Sequence, residues 1–328
     1  MMARHLIDRR GFLRSALAIA AVSRLGAQGA APPDWGGPVL DVHLHLRPTP
    51  DGNFNHIQGS GVAKAVLLTN VSAEDHAKQV AAAYPGHFVR FASVDVTAPD
   101  AVARLRAAIQ DGAIGLGEIK SRVEAAGPEM QRLYALAAEL NVPITIHFQE
   151  VNQPGSPGTY NTGLKHFDAM LKAFPKTKFV GHADAFWANV SADYAEDTAY
   201  PTGRIKPGGV TDRFLSDYAN LYADMSANSC NNFLNRDPEF AAGFLVRHQD
   251  KLMFGSDCGC LDGRGTVGAR QGGGSQPGAG APAAGAPPAR PLAGKCIARE
   301  TLTALKKLAA PNVFRKIAWE NGTRLLRI

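Results

Sequence analysis

Eight short apolar or β-branched runs recur along the chain at near-regular intervals, and each is followed by a stretch of helical character. The runs are Val39–Leu46, Val62–Thr69, His87–Val96, Ala113–Lys120, Val142–Gln149, Lys178–Asp184, Leu221–Ser226 and Lys251–Asp257. Between them, Pro99–Ile109 sets Val102, Leu105, Ala108 and Ile109 on one helical face. Pro128–Leu140 does the same with Met130, Leu133, Leu136, Ala137 and Leu140, and Leu164–Phe174 and Ala298–Leu308 behave alike. Strands alternating with helices build βα units and a parallel sheet. Eight units over about 220 residues predict a single-domain α/β chain, a closed (β/α)8 TIM barrel. A doubly wound open sheet is the rival fold. It usually shows a Gly-rich phosphate loop after its first strand, where this chain has histidines.

The 328 residues are 45% hydrophobic and 20% charged, which excludes a wholly disordered chain and a polytopic membrane protein. The formal charge of +6 invites a nucleic-acid reading, but five arginines against Asp8 in the first 31 residues carry most of it. Beyond them the balance is +2, and no nucleic-acid partner is expected. That opening stretch has its own logic. Arg9-Arg10-Gly11-Phe12-Leu13-Arg14 precedes a short apolar run, 15–22, and small residues at 26–31. It resembles a twin-arginine export signal, so residues 1–31 are read as removable and the mature chain, 32–328, as periplasmic. The run is far below the roughly 20 residues a membrane span needs, so no stable span is expected once it is removed. Residues 263–294 form a low-complexity insertion after the eighth strand. Sixteen of the twenty residues 271–290 are Gly, Ala or Pro, and the stretch is predicted to be a disordered loop.

Barrel strands are normally filled with branched aliphatics, so polar residues at their C-terminal ends need a reason. The first strand reads Leu40-Asp-Val-His-Leu-His-Leu46, and alternation puts Asp41, His43 and His45 on one face. The fifth puts Thr145, His147 and Gln149 on its polar face, and the sixth offers His182 and Asp184. The eighth ends in Asp257, and the fourth carries Glu118 and Lys120 on one side. HxH alone is weak, and His147 alone reads as a satisfied core histidine. Metal-ligand side chains ending strands one, five, six and eight together point to a divalent ion. Neutral imidazoles with a carboxylate suit Zn2+, with manganese, iron or nickel as alternatives. His56, His76, His87, His166 and His248 are assigned to loops or helix surfaces. Cys258-Gly-Cys260 lacks CxxC spacing and no second pair complements it, so no cysteine metal site is expected. Free thiols, or a link from Cys230 to Cys258 or Cys260, are both open.

At Asp41-Val-His-Leu-His45, Ile144-Thr-Ile-His147, Val180-Gly-His182, Phe254-Gly-Ser-Asp257 and the closing 316–326, the chain resembles the amidohydrolase superfamily, and more closely its amidohydrolase-related (family 2) branch. The resemblance runs from about residue 38 to the end. It implies that His43, His45, His147 and Asp257 bind one divalent metal, and that His182 ligates a second or contacts substrate. Glu118 falls where some relatives place a bridging acid, which favours two ions; Lys120 is the weaker bridge.

The expected activity is hydrolysis of an amide, ester or lactone bond of a small molecule by a metal-activated water. Asp257 would move the proton and His182 would donate to the developing oxyanion. The branch also holds non-oxidative decarboxylases, in which Arg47 would grip a substrate carboxylate. A non-catalytic exported binding protein is the third reading. Asn161, Trp187, Tyr200, Arg204 and Lys206 lie in loops expected to overhang the mouth, each more simply structural than substrate-binding.

Overall fold

The computed structural model describes residues 31–49, 51–153, 157–265 and 292–328. Residues 1–30, read from the sequence as most of an export signal, and residues 266–291 of the insertion lie outside the described residues. Eight parallel strands follow one another in sheet order: β1 (Leu40–His45), β2 (Lys64–Asn70), β3 (Phe88–Ser93), β4 (Leu116–Ile119), β5 (Pro143–His147), β6 (Lys178–His182), β7 (Leu221–Met225) and β8 (Leu252–Phe254). Each lies within a run expected from the pattern, apart from one added residue at the end of β2. Helices alternate with them: α1 (Gly52–Ser60), α2 (Glu74–Ala83), α3 (Ala101–Gln110), α4 (Pro128–Leu140), α5 (Asp168–Ala173), α6 (Asp184–Ala188) and α7 (Val210–Asp217). After β7 come α8 (Ala227–Arg236) and α9 (Pro238–Arg247), and after β8 come α10 (Ile297–Leu308), α11 (Pro311–Arg315) and α12 (Asn321–Leu326). The result is the (β/α)8 barrel that the alternation predicts. Among the described residues no helix is long and apolar enough to cross a membrane.

Every strand is short and almost wholly buried, as a sheet covered by helices requires. Leu40, Val42, Val66, Leu68, Phe91, Val180 and Met253 form one apolar cluster. They come from strands that are not all neighbours in the sheet, so they meet inside the barrel. The seam between β8 and β1 is closed without a ladder. The Asp257 N–H donates to the His43 carbonyl at 2.8 Å, and the Ser256 N–H donates to Asp41 Oδ1 at 2.8 Å.

That seam corrects the alternation read along the first strand. The register of β1 against β2 shifts between Asp41 and Leu44. The Asp41 carboxylate serves the backbone N–H groups of His43 and Ser256 rather than standing beside the His43 and His45 rings. Burial pushes Asp41 up to about 6, against the pull of those bonds. Its place is in the barrel's closure.

Candidate metal centre

The side chains that end β1, β5 and β6, with Asp257 three residues beyond β8, gather around Glu118 of β4. Glu118 Oε1 lies against His147 Nδ1 and 3.4 Å from His182 Nε2. Its Oε2 lies 3.4 Å from His45 Nε2 and 3.8 Å from His43 Nε2. Asp257 Oδ1 approaches the same two imidazoles, at 3.3 Å from His45 Nε2 and 3.9 Å from His43 Nε2. Two ligand groups result, His43–His45–Asp257 and Glu118–His147–His182, each with its donor atoms within 4.8 Å of one another, and a third, His43–His182–Asp224, links them. Glu118 lies between the first two.

The expected quartet is therefore divided: His147 does not fall into the group of His43, His45 and Asp257. The sheet order explains it. Strand β5 lies between β4 and β6, and His147 is the register partner of His182, so its ring meets Glu118 from the side away from the β8–β1 seam.

Behind the rings stands a shell that the strand-end reading omitted. Asp224, on β7, holds His43 Nδ1 at 2.5 Å, and Ser226 Oγ lies 2.8 Å from His182 Nδ1. These contacts orient both rings so that Nε2 faces the centre. Gln149 Oε1 holds His147 Nε2 at 2.9 Å, leaving Nδ1 for Glu118. Asp224 and Ser226 were legible in principle, since they alternate at the end of Leu221–Ser226 as His43 and His45 do at the end of β1.

Among the described residues, the buried Nε2 atoms of His43 and His182 have no hydrogen-bond partner. Two fully buried imidazoles that keep a nitrogen free beside carboxylates fit a cation as the missing partner. The electrostatics agree. Burial works against a charged His43, but Asp224, Asp257 and Glu118 outweigh it and raise the group to about 9. Against the desolvation of its ring, His45, whose side chain is half exposed, is raised to about 10 by Asp257 and Glu118. Burial disfavours the Glu118 carboxylate too, yet the facing imidazoles hold it well below the usual carboxylate range. Protons and divalent ions thus compete for the same nitrogens. The expected consequence is that affinity for a divalent ion rises with pH from 6 to about 9, by up to about tenfold per pH unit for each proton displaced. Ion titrations followed by calorimetry at several pH values test it, and a flat profile would contradict it.

A cavity of about 220 Å³ opens over the centre. Lys120, Gln153, Tyr200, Asn228 and Ser229 line it beside His45, Glu118, His147, His182 and Asp257. Other expected residues are elsewhere. Arg47 is buried away from this cavity and donates to the carbonyls of Cys258 at 2.8 Å and Gly259 at 3.1 Å, so it does not stand ready for a substrate carboxylate. Asp184 begins α6, accepts from Gln153, and is pushed up to about 7 by burial. Trp187 is core, and Asn161 ties the backbone of Ile119 to that of His147. Arg204 pairs with Asp237 and Glu239, and Lys206 with Asp193.

A barrel whose strand ends gather imidazoles and carboxylates into adjoining groups fits a divalent metal at the face where barrel enzymes carry their active sites. The family model described as Amidohydrolase matches residues 45–328, and the chain belongs to that family. A comparison with curated proteins finds no match. Among solved structures, a probable 2-pyrone-4,6-dicarboxylic acid hydrolase from Acinetobacter baumannii is similar, with TM-score 0.55 and 13% identity over 89% of this chain and 100% of that one. The 5-carboxyvanillate decarboxylase of Sphingomonas paucimobilis has TM-score 0.51 and 11% identity over 89% and 99%. That of Novosphingobium aromaticivorans, in complex with manganese, has TM-score 0.51 and 15% identity over 84% and 79%. At these identities the likeness is one of fold.

Proposed function

We propose that the protein hydrolyses an amide, ester or lactone bond of a small carboxylate-bearing molecule, using two divalent ions, with zinc as the first candidate. The observation that carries this reading is Glu118, one buried carboxylate lying between two ligand groups. Such an acid has a task between two ions and no evident one beside a single ion in decarboxylation. His43, His45 and Asp257 would hold one ion and His147 and His182 the other, with Glu118 shared. When bound, the ions supply Lewis acidity and lower the pKa of a coordinated water to about 7.

The chain's own groups do the rest. Asp257 Oδ accepts the proton of the attacking water and returns it to the departing nitrogen or oxygen. Asp224 and Ser226 keep His43 and His182 in the ring orientation that directs Nε2 inward. With its Nε2 beside Glu118 and His147, His182 reads as a ligand rather than as the oxyanion donor expected from sequence alone.

Lys120 and the first turn of α8 support an anionic substrate. The N-terminal residues Asn228 and Ser229 line the cavity, and the buried Ser229 Oγ has no partner among the described residues. A helix N-terminus and an ammonium group together favour a carboxylate there. The test is a panel of esters, lactones and amides of small carboxylic acids, together with aromatic acids, with products identified and a chelator control. Chelator-sensitive hydrolysis is expected, and release of carbon dioxide without hydrolysis would favour the decarboxylase. With a hydrolysed substrate, Lys120→Met should raise KM about 10-fold or more and leave kcat within a few-fold. An unchanged KM would remove the anion reading.

Export belongs to the same proposal. The Arg9-Arg10-x-Phe-Leu-Arg core supports translocation after folding. Replacing Arg9 and Arg10 by lysines should shift the protein from the periplasmic to the cytoplasmic fraction, and unchanged fractionation would speak against it.

A further inference from the structure

Beside the metal centre, three cysteines and one histidine that no local spacing connects come together. His56 lies on α1, Cys258 and Cys260 follow β8, and Cys296 immediately precedes α10. All four are buried and the cysteines are unbridged. One donor atom from each falls within 4.8 Å of the others. Cys258 Sγ is 3.3 Å from Cys260 Sγ and 3.9 Å from Cys296 Sγ, and Cys260 Sγ is 3.5 Å from His56 Nδ1. Zinc–sulfur bonds of about 2.3 Å and zinc–nitrogen bonds of about 2.0 Å at tetrahedral angles place sulfurs about 3.8 Å apart and sulfur from nitrogen about 3.5 Å. The observed edges bracket those lengths.

We propose that His56, Cys258, Cys260 and Cys296 form a closed Cys3His site for a thiophilic divalent cation of the zinc type, separate from the centre at the barrel mouth. Nδ1 is the His56 ring nitrogen that faces the sulfurs, 3.5 Å from Cys260 Sγ and 2.9 Å from the Cys260 carbonyl. The nearby charge supports the site. Three thiolates, a neutral imidazole and a dication sum to one negative charge, and the buried Arg47 guanidinium, bonded to the Cys258 and Gly259 carbonyls, supplies the matching positive one. None of the four lines the cavity over the metal centre, and a full set of four protein ligands is the signature of a structural ion rather than a catalytic one.

Its role would be mechanical. The site joins α1, the segment after β8 and the start of α10, holding the chain on both sides of residues 266–291. Cys258 directly follows Asp257, so the same clamp fixes the backbone that carries the catalytic carboxylate. Binding the ion by thiolates releases the three thiol protons to solvent and changes no oxidation state.

Cobalt replacement in the full chain, purified under reducing conditions, tests the proposal. Imidazoles and carboxylates at the mouth give no thiolate-to-cobalt charge transfer, so an intense near-ultraviolet charge-transfer absorption reports the cysteine site alone. Cys296→Ser should abolish most of that absorption and lower metal content by one equivalent. Should that variant fail to fold, the wild-type protein still decides: titration with an organomercurial should release one equivalent of zinc as three thiols are blocked. A cobalt spectrum without the band, thiols that react with no metal released, or an unreduced mass showing a disulfide among Cys258, Cys260 and Cys296 would each overturn it.

Discussion

Glu118→Gln is expected to lower kcat on any hydrolysed substrate by on the order of 10³-fold and to remove one equivalent of bound metal. The change keeps the shape of the side chain and deletes its charge. In the native arrangement Oε1 lies against His147 and faces His182, and Oε2 faces His43 and His45. A carboxamide offers one acceptor and one donor, so its nitrogen would turn a positive edge toward one of the two groups. That group loses an anionic ligand and gains an N–H aimed at its ion. The group that keeps the oxygen would retain its cation. Metal analysis beside steady-state kinetics reads both effects, and near-native turnover with unchanged metal content would remove the two-ion reading.

Asp257→Asn should separate binding from chemistry. Asp257 holds a left-handed backbone conformation, φ 46°, with its N–H bonded to the His43 carbonyl. Asn is among the few residues that tolerate this conformation, so the backbone is expected to stay in place. An amide oxygen could still face an ion held by His43 and His45. What is lost is a carboxylate able to accept a proton. Burial opposes its charge, but the hydrogen bond from His45 and the charges of His43 and His45 hold its pKa below the usual range. The expected result is a variant that retains its metal content and loses about 10²–10⁴-fold in kcat. Near-normal activity would mean that another group moves the proton.

Both substitutions were nameable from the chain alone. Residues that alternate along a strand share a face, so His43 and His45, or Glu118 beside Lys120, stand out wherever a strand should be purely aliphatic. The limits of that reasoning show at particular places. Strand β8 ends at Phe254, three residues before the expected Asp257, because the chain turns there to bond across to β1. Trp187, expected in a loop over the mouth, lies instead in α6, buried among Phe186, Phe233 and Phe244. Aromatics spaced irregularly in one segment give no periodic signal, and their partners are supplied by α8 and α9. His56, assigned to a helix surface or loop, is wholly buried because the segment after β8 covers it.

The sequence by itself determined the order and number of βα units and the kinds of side chain that end the strands. Both follow from hydrophobic period and side-chain alternation, which act over a few residues. Only the tertiary structure decided that His147 stands with His182 rather than with His43, that Asp224 steers the His43 ring, and that Cys296 reaches Cys258 and Cys260. Those proximities are created when the eight strands close into a ring, which brings the residues after the last strand against the first and gives each strand end its neighbours.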